Sequence, residues 1–211
     1  MQNTVLRNII ARKTIEPPGQ YISLFDNTRL SEENMIGNLL KFDVSAPIDL
    51  QEMTNPQVVD YLVLTHHEFT RDIMLEIDRL LENGRVSEPE AQKVLAELGM
   101  LWPAFHREML EHLEHEEQIL FPSIESSTNE QGEISADNID STILSMIKEH
   151  DHHDDELHRI RILNARLLAQ SGSNPVIHQL CQRIGQLDSD LHQHMQIESE
   201  ILFPRILKSF T

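Results

Sequence analysis

Residues 112–124 read His112-Leu-Glu-His-Glu116-Glu-Gln-Ile119-Leu120-Phe121-Pro122-Ser-Ile124, and residues 194–206 read His194-Met-Gln-Ile-Glu198-Ser-Glu-Ile201-Leu202-Phe203-Pro204-Arg-Ile206. Both follow the pattern His-x-x-x-Glu-x-x-Ile-Leu-Phe-Pro-x-Ile. On a helix, residues four apart lie one above the other on the same face. Each pair can therefore aim an imidazole nitrogen and a carboxylate at neighbouring points. Leu113, Ile119 and Leu120, like Ile197, Ile201 and Leu202, share that face, so the pairs are expected to point inward. A single exposed pair of this kind is ordinary, but a repeated inward one is not, because unpartnered buried charge is too costly to keep. Two such helices supply two nitrogens and two carboxylates. The carboxylates can bridge a pair of metals while the histidines cap each one, as in the di-iron sites of four-helix bundles. Ile-Leu-Phe-Pro reads as a hydrophobic plug below the site, its proline kinking or ending the helix.

Outward from these motifs, the chain shows four long segments of helical apolar spacing. The first opens at Asn55-Pro56, a cap followed by proline, and closes at Asn83-Gly84. Its stripe includes Val59, Leu62, Val63, Thr70, Ile73, Met74 and Ile77, with either His66 or His67 pointing inward. The second opens at Ser87 with Glu90 as a capping box and runs to about Ser123. A polar loop over 125–138 follows. The third runs from about Ser141 to Ala169, before Ser171-Gly172-Ser173, and the fourth runs from Asn174-Pro175 to Leu207. Strand signals are absent. Helices of about 30 residues are ~45 Å long, and short connections favour antiparallel neighbours. The expected fold is all-α: an antiparallel up-down four-helix bundle over 51–211, preceded by an N-terminal arm or short helical appendage over 1–50.

The third segment offers Glu149-His150-Asp-His152-His153-Asp154. His150 is read as sharing a stripe with Leu144, Ile147 and Leu157 and so as facing the core, with His153 and Asp154 near its face and His152 pointing elsewhere. His158 and His178 read as surface residues, and Trp102 and Phe105 as core packing. His106, His115 and His192 flank the site in sequence as possible orienting partners. Tyr61 lies near the first-helix histidines, at a boundary position.

Composition narrows the function classes. The charges sum as 17 − 35 = −18, a balance that repels phosphate and anionic lipid and that bound cations would partly neutralise. Neither nucleic acid nor membrane is an expected partner. The lone cysteine, Cys181, excludes an internal disulfide or a thiolate cluster and reads as a small buried hydrophobe. No apolar run reaches the ~18 residues that span a bilayer. Asn8, Arg12 and Lys13 interrupt any signal-peptide core, so a cytoplasmic protein is expected. The unusual feature is twelve histidines, most of them crowded into four windows.

Leu64-Thr-His-His67, His112-x-x-x-Glu116-Glu-Gln-Ile-Leu-Phe-Pro122, Lys148-Glu-His150-Asp and His194-x-x-x-Glu198-x-x-x-Leu-Phe-Pro204 together resemble the hemerythrin-like superfamily. Over about 58–207 the chain is most similar to the di-iron iron–sulfur cluster repair proteins, also called repair of iron centres. The resemblance implies His67 rather than His66 as first-helix ligand, alongside His112, Glu116, His150, His194 and Glu198. It implies two iron ions, bridged by the two glutamates and by an oxo or hydroxo group. It further implies a role in the nitrosative and oxidative stress response, as iron donor to damaged iron–sulfur proteins or as a nitric oxide-reactive protein. A hemerythrin-like oxygen or redox sensor or carrier is the alternative. The chain departs from that family in having no cysteine in its N-terminal arm and no histidine in residues 68–105. A seventh ligand would have to be His153, Asp154, Glu108 or water.

Overall fold

The computed structural model describes residues 49–127 and 136–209, and among them every long element is a helix. The expected arm lies almost wholly outside the described residues. Helix α1 spans 55–83, α2 spans 89–127, α3 spans Ala136–Gln170 and α4 spans 175–209. Three of the four are interrupted by one wide π-helical turn: Leu62–His67 in α1, Glu116–Leu120 in α2 and Glu198–Leu202 in α4.

Local chemistry sets the helix ends. Asn174 caps α4 as its sequence predicts, its Oδ1 accepting from the backbone N–H groups of Val176 and Ile177 at 3.2 Å. At α1 the cap is Thr54 rather than Asn55, and its backbone N–H donates to Gln57 Oε1 at 2.9 Å. Helix α2 begins at Pro89 with Glu88 at the cap, so the expected Ser87–Glu90 box does not form and Glu90 pairs with Lys93 instead. Helix α3 ends before Gly172, whose φ of 57° suits a residue without Cβ. The expected polar loop over 125–138 is shorter than its composition suggests, because helix extends to Ser127 and resumes at Ala136.

Contacts between helices fix an antiparallel up-down bundle, since residue numbers rise on one helix as they fall on its neighbour. Trp102 donates to Asp78 and Arg71 to Glu117 across α1 and α2. His152 meets Glu108, and His112 meets Glu149, across α2 and α3. Arg161 pairs with Asp188, and Asn164 donates to the Cys181 carbonyl, across α3 and α4. Asp190 meets His66, and Arg183 meets Glu76, closing the ring from α4 to α1. At one end Arg205 donates to the carbonyls of Met53 and Leu50 and fastens residues 49–54 to the bundle.

The core is two apolar clusters with a polar layer between them. The larger holds Met74, Ile77, Leu98, Trp102, Phe105, Leu113, Leu157 and Leu187. The smaller holds Leu62, Leu120, Phe121, Ile124, Ile143, Met146, Leu202, Phe203 and Ile206. Each such side chain contributes roughly 1.5–3 kcal/mol on burial. The Leu-Phe residues of both repeats form the expected plug, but the helices neither end nor break at Pro122 and Pro204 and continue to Ser127 and Ser209. Among the described residues no helix is long and apolar enough to cross a membrane.

Candidate metal centre

The polar layer consists of buried His66, His67, Thr70, His112, Glu116, His150, His153, His194 and Glu198. The wide turns place it. Glu116 and Glu198 each open one, and their carbonyls accept from the N–H groups of Phe121 and Phe203, five residues on. Pro122 and Pro204 have no N–H, and their rings would crowd the carbonyl four residues back. A wide turn immediately before the proline accommodates that clash. In α1 the turn Leu62–His67 ends on His67, and it rotates both His66 and His67 into the interior. Wide turns of this kind concentrate at functional sites.

Six side chains converge. Glu116 Oε2 lies 3.3 Å from His67 Nε2 and 3.7 Å from His194 Nε2. Its other oxygen, Oε1, lies 3.3 Å from His112 Nε2 and 3.8 Å from His150 Nε2. The two oxygens of one carboxylate thus face two different histidine pairs. Glu198 Oε2 joins the pairs from the opposite side, 3.1 Å from His150 Nε2 and 3.4 Å from His194 Nε2. His67 and His194 present Nε2 atoms to each other at 3.2 Å. Two three-donor groups result, His67–Glu116–His194 and His112–Glu116–His150. Nitrogen and oxygen ligands bind first-row divalent metals at about 2.1 Å, so cis neighbours stand about 3 Å apart. The observed separations fit donors sharing an ion.

Electrostatics supports the same fit. Glu116 and Glu198 are each 0% exposed. All four of their oxygens lack a hydrogen bond, as does His150 Nε2. Buried carboxylates without partners are expensive, and a cation between them removes the cost. Burial alone would raise the Glu116 carboxyl, but His112, His150, His67 and His194 hold it well below the usual range. Burial and Glu116 raise Glu198, and His194 and His150 outweigh them to lower it. Burial likewise opposes charge on His67 and His150, yet the surrounding carboxylates push them up to about 9 and about 10. Protons on these histidines occupy the electrostatic role that cations would take over, and metal binding releases them.

Carboxylates outside the layer orient the imidazoles. Glu117 Oε1 lies 2.7 Å from His67 Nδ1 and also accepts from Arg71 at 2.9 Å. Glu149 Oε2 lies 2.9 Å from His112 Nδ1. A carboxylate only accepts, so Nδ1 carries a proton and Nε2 is the nitrogen left to bind a metal once its own proton is released. Asp190 does the same for His66 Nδ1 at 3.0 Å. His66 stacks on His194 at 6.0 Å and meets the buried Tyr61 ring at 5.6 Å. Sequence reasoning missed Glu117, Glu149 and Asp190 as partners. Glu117 and Glu149 did sit inside the quoted motifs.

The α3 stripe is Ile143, Met146, His150, His153, Leu157 and Ile160, while Leu144 and Ile147 are exposed. His150 therefore points inward, though with different companions. Ile119 is 50% exposed and off the face assigned to it, because the wide turn shifts the register after Glu116. Of the candidates for a seventh ligand, Asp154 is exposed and Glu108 meets His152 at 3.3 Å. His153 is buried with its ring 5.0 Å from that of His112. Burial, reinforced by His112, lowers it to about 4, so it is neutral. His106 bonds Asp78 beside Trp102, and His115 approaches the Glu149 that orients His112. His192 lines a groove of about 320 Å³ between α3 and α4, together with His150, Asp154, Met195 and Ser199. His158 and His178 are exposed, Trp102 and Phe105 are core, and Cys181 is buried, its thiol raised by burial to about 11.

The chain is 27% identical over 151 residues to the iron-sulfur cluster repair protein DnrN of Neisseria gonorrhoeae, covering 72% of this chain and 90% of that protein. It is 26% identical over 155 residues to the iron-sulfur cluster repair protein YtfE of Enterobacter sp. (strain 638), covering 72% of this chain and 66%, just under two thirds, of that protein. The Hemerythrin HHE cation binding domain matches residues 58–206, an interval that contains every donor of the polar layer, and the chain belongs to that family.

Proposed function

We propose that this chain is a cytoplasmic di-iron protein that supplies iron for the repair of iron–sulfur clusters damaged by nitric oxide or oxidants. The observation that carries the reading is the division of Glu116, each of whose oxygens faces its own pair of histidines. His67 and His194 would hold one iron with Glu116 Oε2, and His112 and His150 the other with Glu116 Oε1. Glu198, between His150 and His194, would span both. Bound iron would supply a one-electron redox couple and an exchangeable metal.

The protein's own residues do the rest. Glu117 and Glu149 keep the protons of His67 and His112 on Nδ1, leaving Nε2 free to bind. Leu120, Phe121, Leu202 and Phe203 close the layer from one end and exclude water. His150 borders the α3–α4 groove, and that side offers a small diatomic such as nitric oxide, or a departing ion, a path from solvent. Four neutral imidazoles and two carboxylates neutralise only half the charge of two ferrous ions, which favours exchange over permanent retention. The names of the similar proteins support the repair role.

The test mixes the iron-loaded chain, anaerobically and with inorganic sulfide and a thiol reductant present, with an iron–sulfur protein whose cluster has been destroyed by nitric oxide. Recovery of the client's cluster absorbance, with matching loss of iron from this chain, is the expected result. Iron retained here and a client left dark would overturn the proposal.

A further inference from the structure

On the outer face where α2 meets α3 lies a donor cluster separate from the buried layer. His152 Nε2 is 3.3 Å from Glu108 Oε2 and 3.7 Å from Glu156 Oε2. These three residues offer ligand atoms that all lie within 4.8 Å of one another. Arg107 holds the other oxygen of Glu108 at 3.2 Å, which leaves Oε2 facing the cluster. Exposed acidic groups often gather without binding anything, so this much carries no site.

His153 adds what the surface residues lack. It is 3% exposed, and its Nδ1 has no hydrogen-bond partner. That nitrogen faces Glu156 Oε2 at 3.6 Å. Glu156 Oε2 is itself buried and without a hydrogen bond, although it stands between two imidazole nitrogens. A separation of 3.6 Å is too long for a hydrogen bond. It is a natural spacing for two ligands of one ion, each about 2.1 Å from the centre. A buried imidazole and a buried carboxylate oxygen thus face one another unpaired, with a carboxylate and a further imidazole at the rim.

We propose that Glu108, His152, Glu156 and His153 Nδ1 form a second, solvent-open site for a borderline divalent cation such as zinc, ferrous iron or cobalt. Two imidazoles and two carboxylates select this class over calcium or magnesium, which prefer all-oxygen shells. The mostly exposed His152, at 60% for its side chain, makes the site weaker and faster to exchange than the buried layer. The His153 ring, packed on His112 at 5.0 Å, is the wall between the two.

The experiment dialyses the full chain, previously loaded with ferrous iron, against Co2+ and counts cobalt per chain. Wild type is compared with Glu108→Gln/Glu156→Gln and with His152→Ala, all at partly exposed positions that spare the core. The expected result is one cobalt ion more per wild-type chain than in either variant, with the same iron content in all three proteins. Equal cobalt uptake by wild type and variants, or none by any of them, would overturn the proposal. The deciding quantity is the difference between wild type and variant, so it holds whatever the buried donors carry. A defect in the buried layer would register separately, as iron missing from every protein.

Discussion

Replacing Glu149 by Gln removes one negative charge from behind His112 and leaves the amide oxygen able to accept from Nδ1. In the native protein Glu149 Oε2 stands 2.9 Å from that nitrogen, and Glu149 is itself only half-buried. Its hydrogen bond to His112 lowers its own carboxyl, in spite of burial, so the interaction is that of an ionised acceptor. Losing such an orienting carboxylate costs ~10–100-fold in metal affinity, or about 1.4–2.7 kcal/mol at 1.36 kcal/mol per tenfold. The loss should fall on the ion held by His112 and His150. Glu117→Gln should do the same to the ion held by His67 and His194, because Glu117 stands 2.7 Å from His67 Nδ1. Competition with a chelator of known affinity reads two stepwise constants for iron. Each single variant is expected to weaken one step, and the double variant both. A single variant that weakens both steps as much as the double variant does, or two single variants that move neither step, would contradict this division of the histidines between two ions.

Three further outcomes follow from the same contacts. Phe203→Ala removes a buried ring that stacks on His150 at 5.9 Å; it should cost about 3–5 kcal/mol in denaturant unfolding, and a loss under 1 kcal/mol would contradict the plug. Asn174→Ala deprives the first turn of α4 of its acceptor and removes a 2.6 Å bond from Asn174 Nδ2 to the Arg85 carbonyl. A destabilisation of about 1 kcal/mol is expected, measurable as a lower urea midpoint at unchanged slope. For the metal-free protein, His67 and His150 are raised to about 9 and about 10 from 6.5. Their contribution is fully present below pH 6.5 and is lost as pH rises through 9 to 10. The lowered Glu116 and Glu198 contribute above their ordinary value of 4.5, a contribution lost as pH falls through their folded values. Metal-free stability should therefore be higher at pH 6 than at pH 9.5, whereas metal affinity should rise over that interval as the protons leave. Thermal melts with and without metal check both signs.

The bundle was legible because its signals are local: proline after an asparagine, apolar residues at helical spacing, and glycine at the ends. The inward direction of His112, Glu116, His194 and Glu198 was legible because the motif repeats with apolar neighbours. Spacing failed to choose between His66 and His67 because the wide turn Leu62–His67 buries both. A reading at 3.6 residues per turn cannot anticipate that turn. The same assumption put Ile119 on the buried face, whereas the turn that begins at Glu116 moves it out and brings Leu120 and Phe121 in. On α3, Ile143 and Met146 compete with Leu144 and Ile147 for one stripe, and only packing against the neighbouring helices decides. Glu117, Glu149 and Asp190 look like ordinary polar surface residues in the sequence. Their histidine partners are 50, 37 and 124 residues away, a separation no local pattern encodes.

Iron stoichiometry of the wild-type chain beside the His112→Ala and His194→Ala variants reports whether the two motifs build one centre. Because Glu116 meets histidines of both pairs and Glu198 joins them, neither motif can hold its ion independently. Anaerobically loaded wild type, desalted to strip weakly held metal, should carry two iron ions per chain, and each variant, still folded by circular dichroism, should fall below one. Wild type without iron, or variants that keep both ions, would contradict a single centre built jointly by the two motifs.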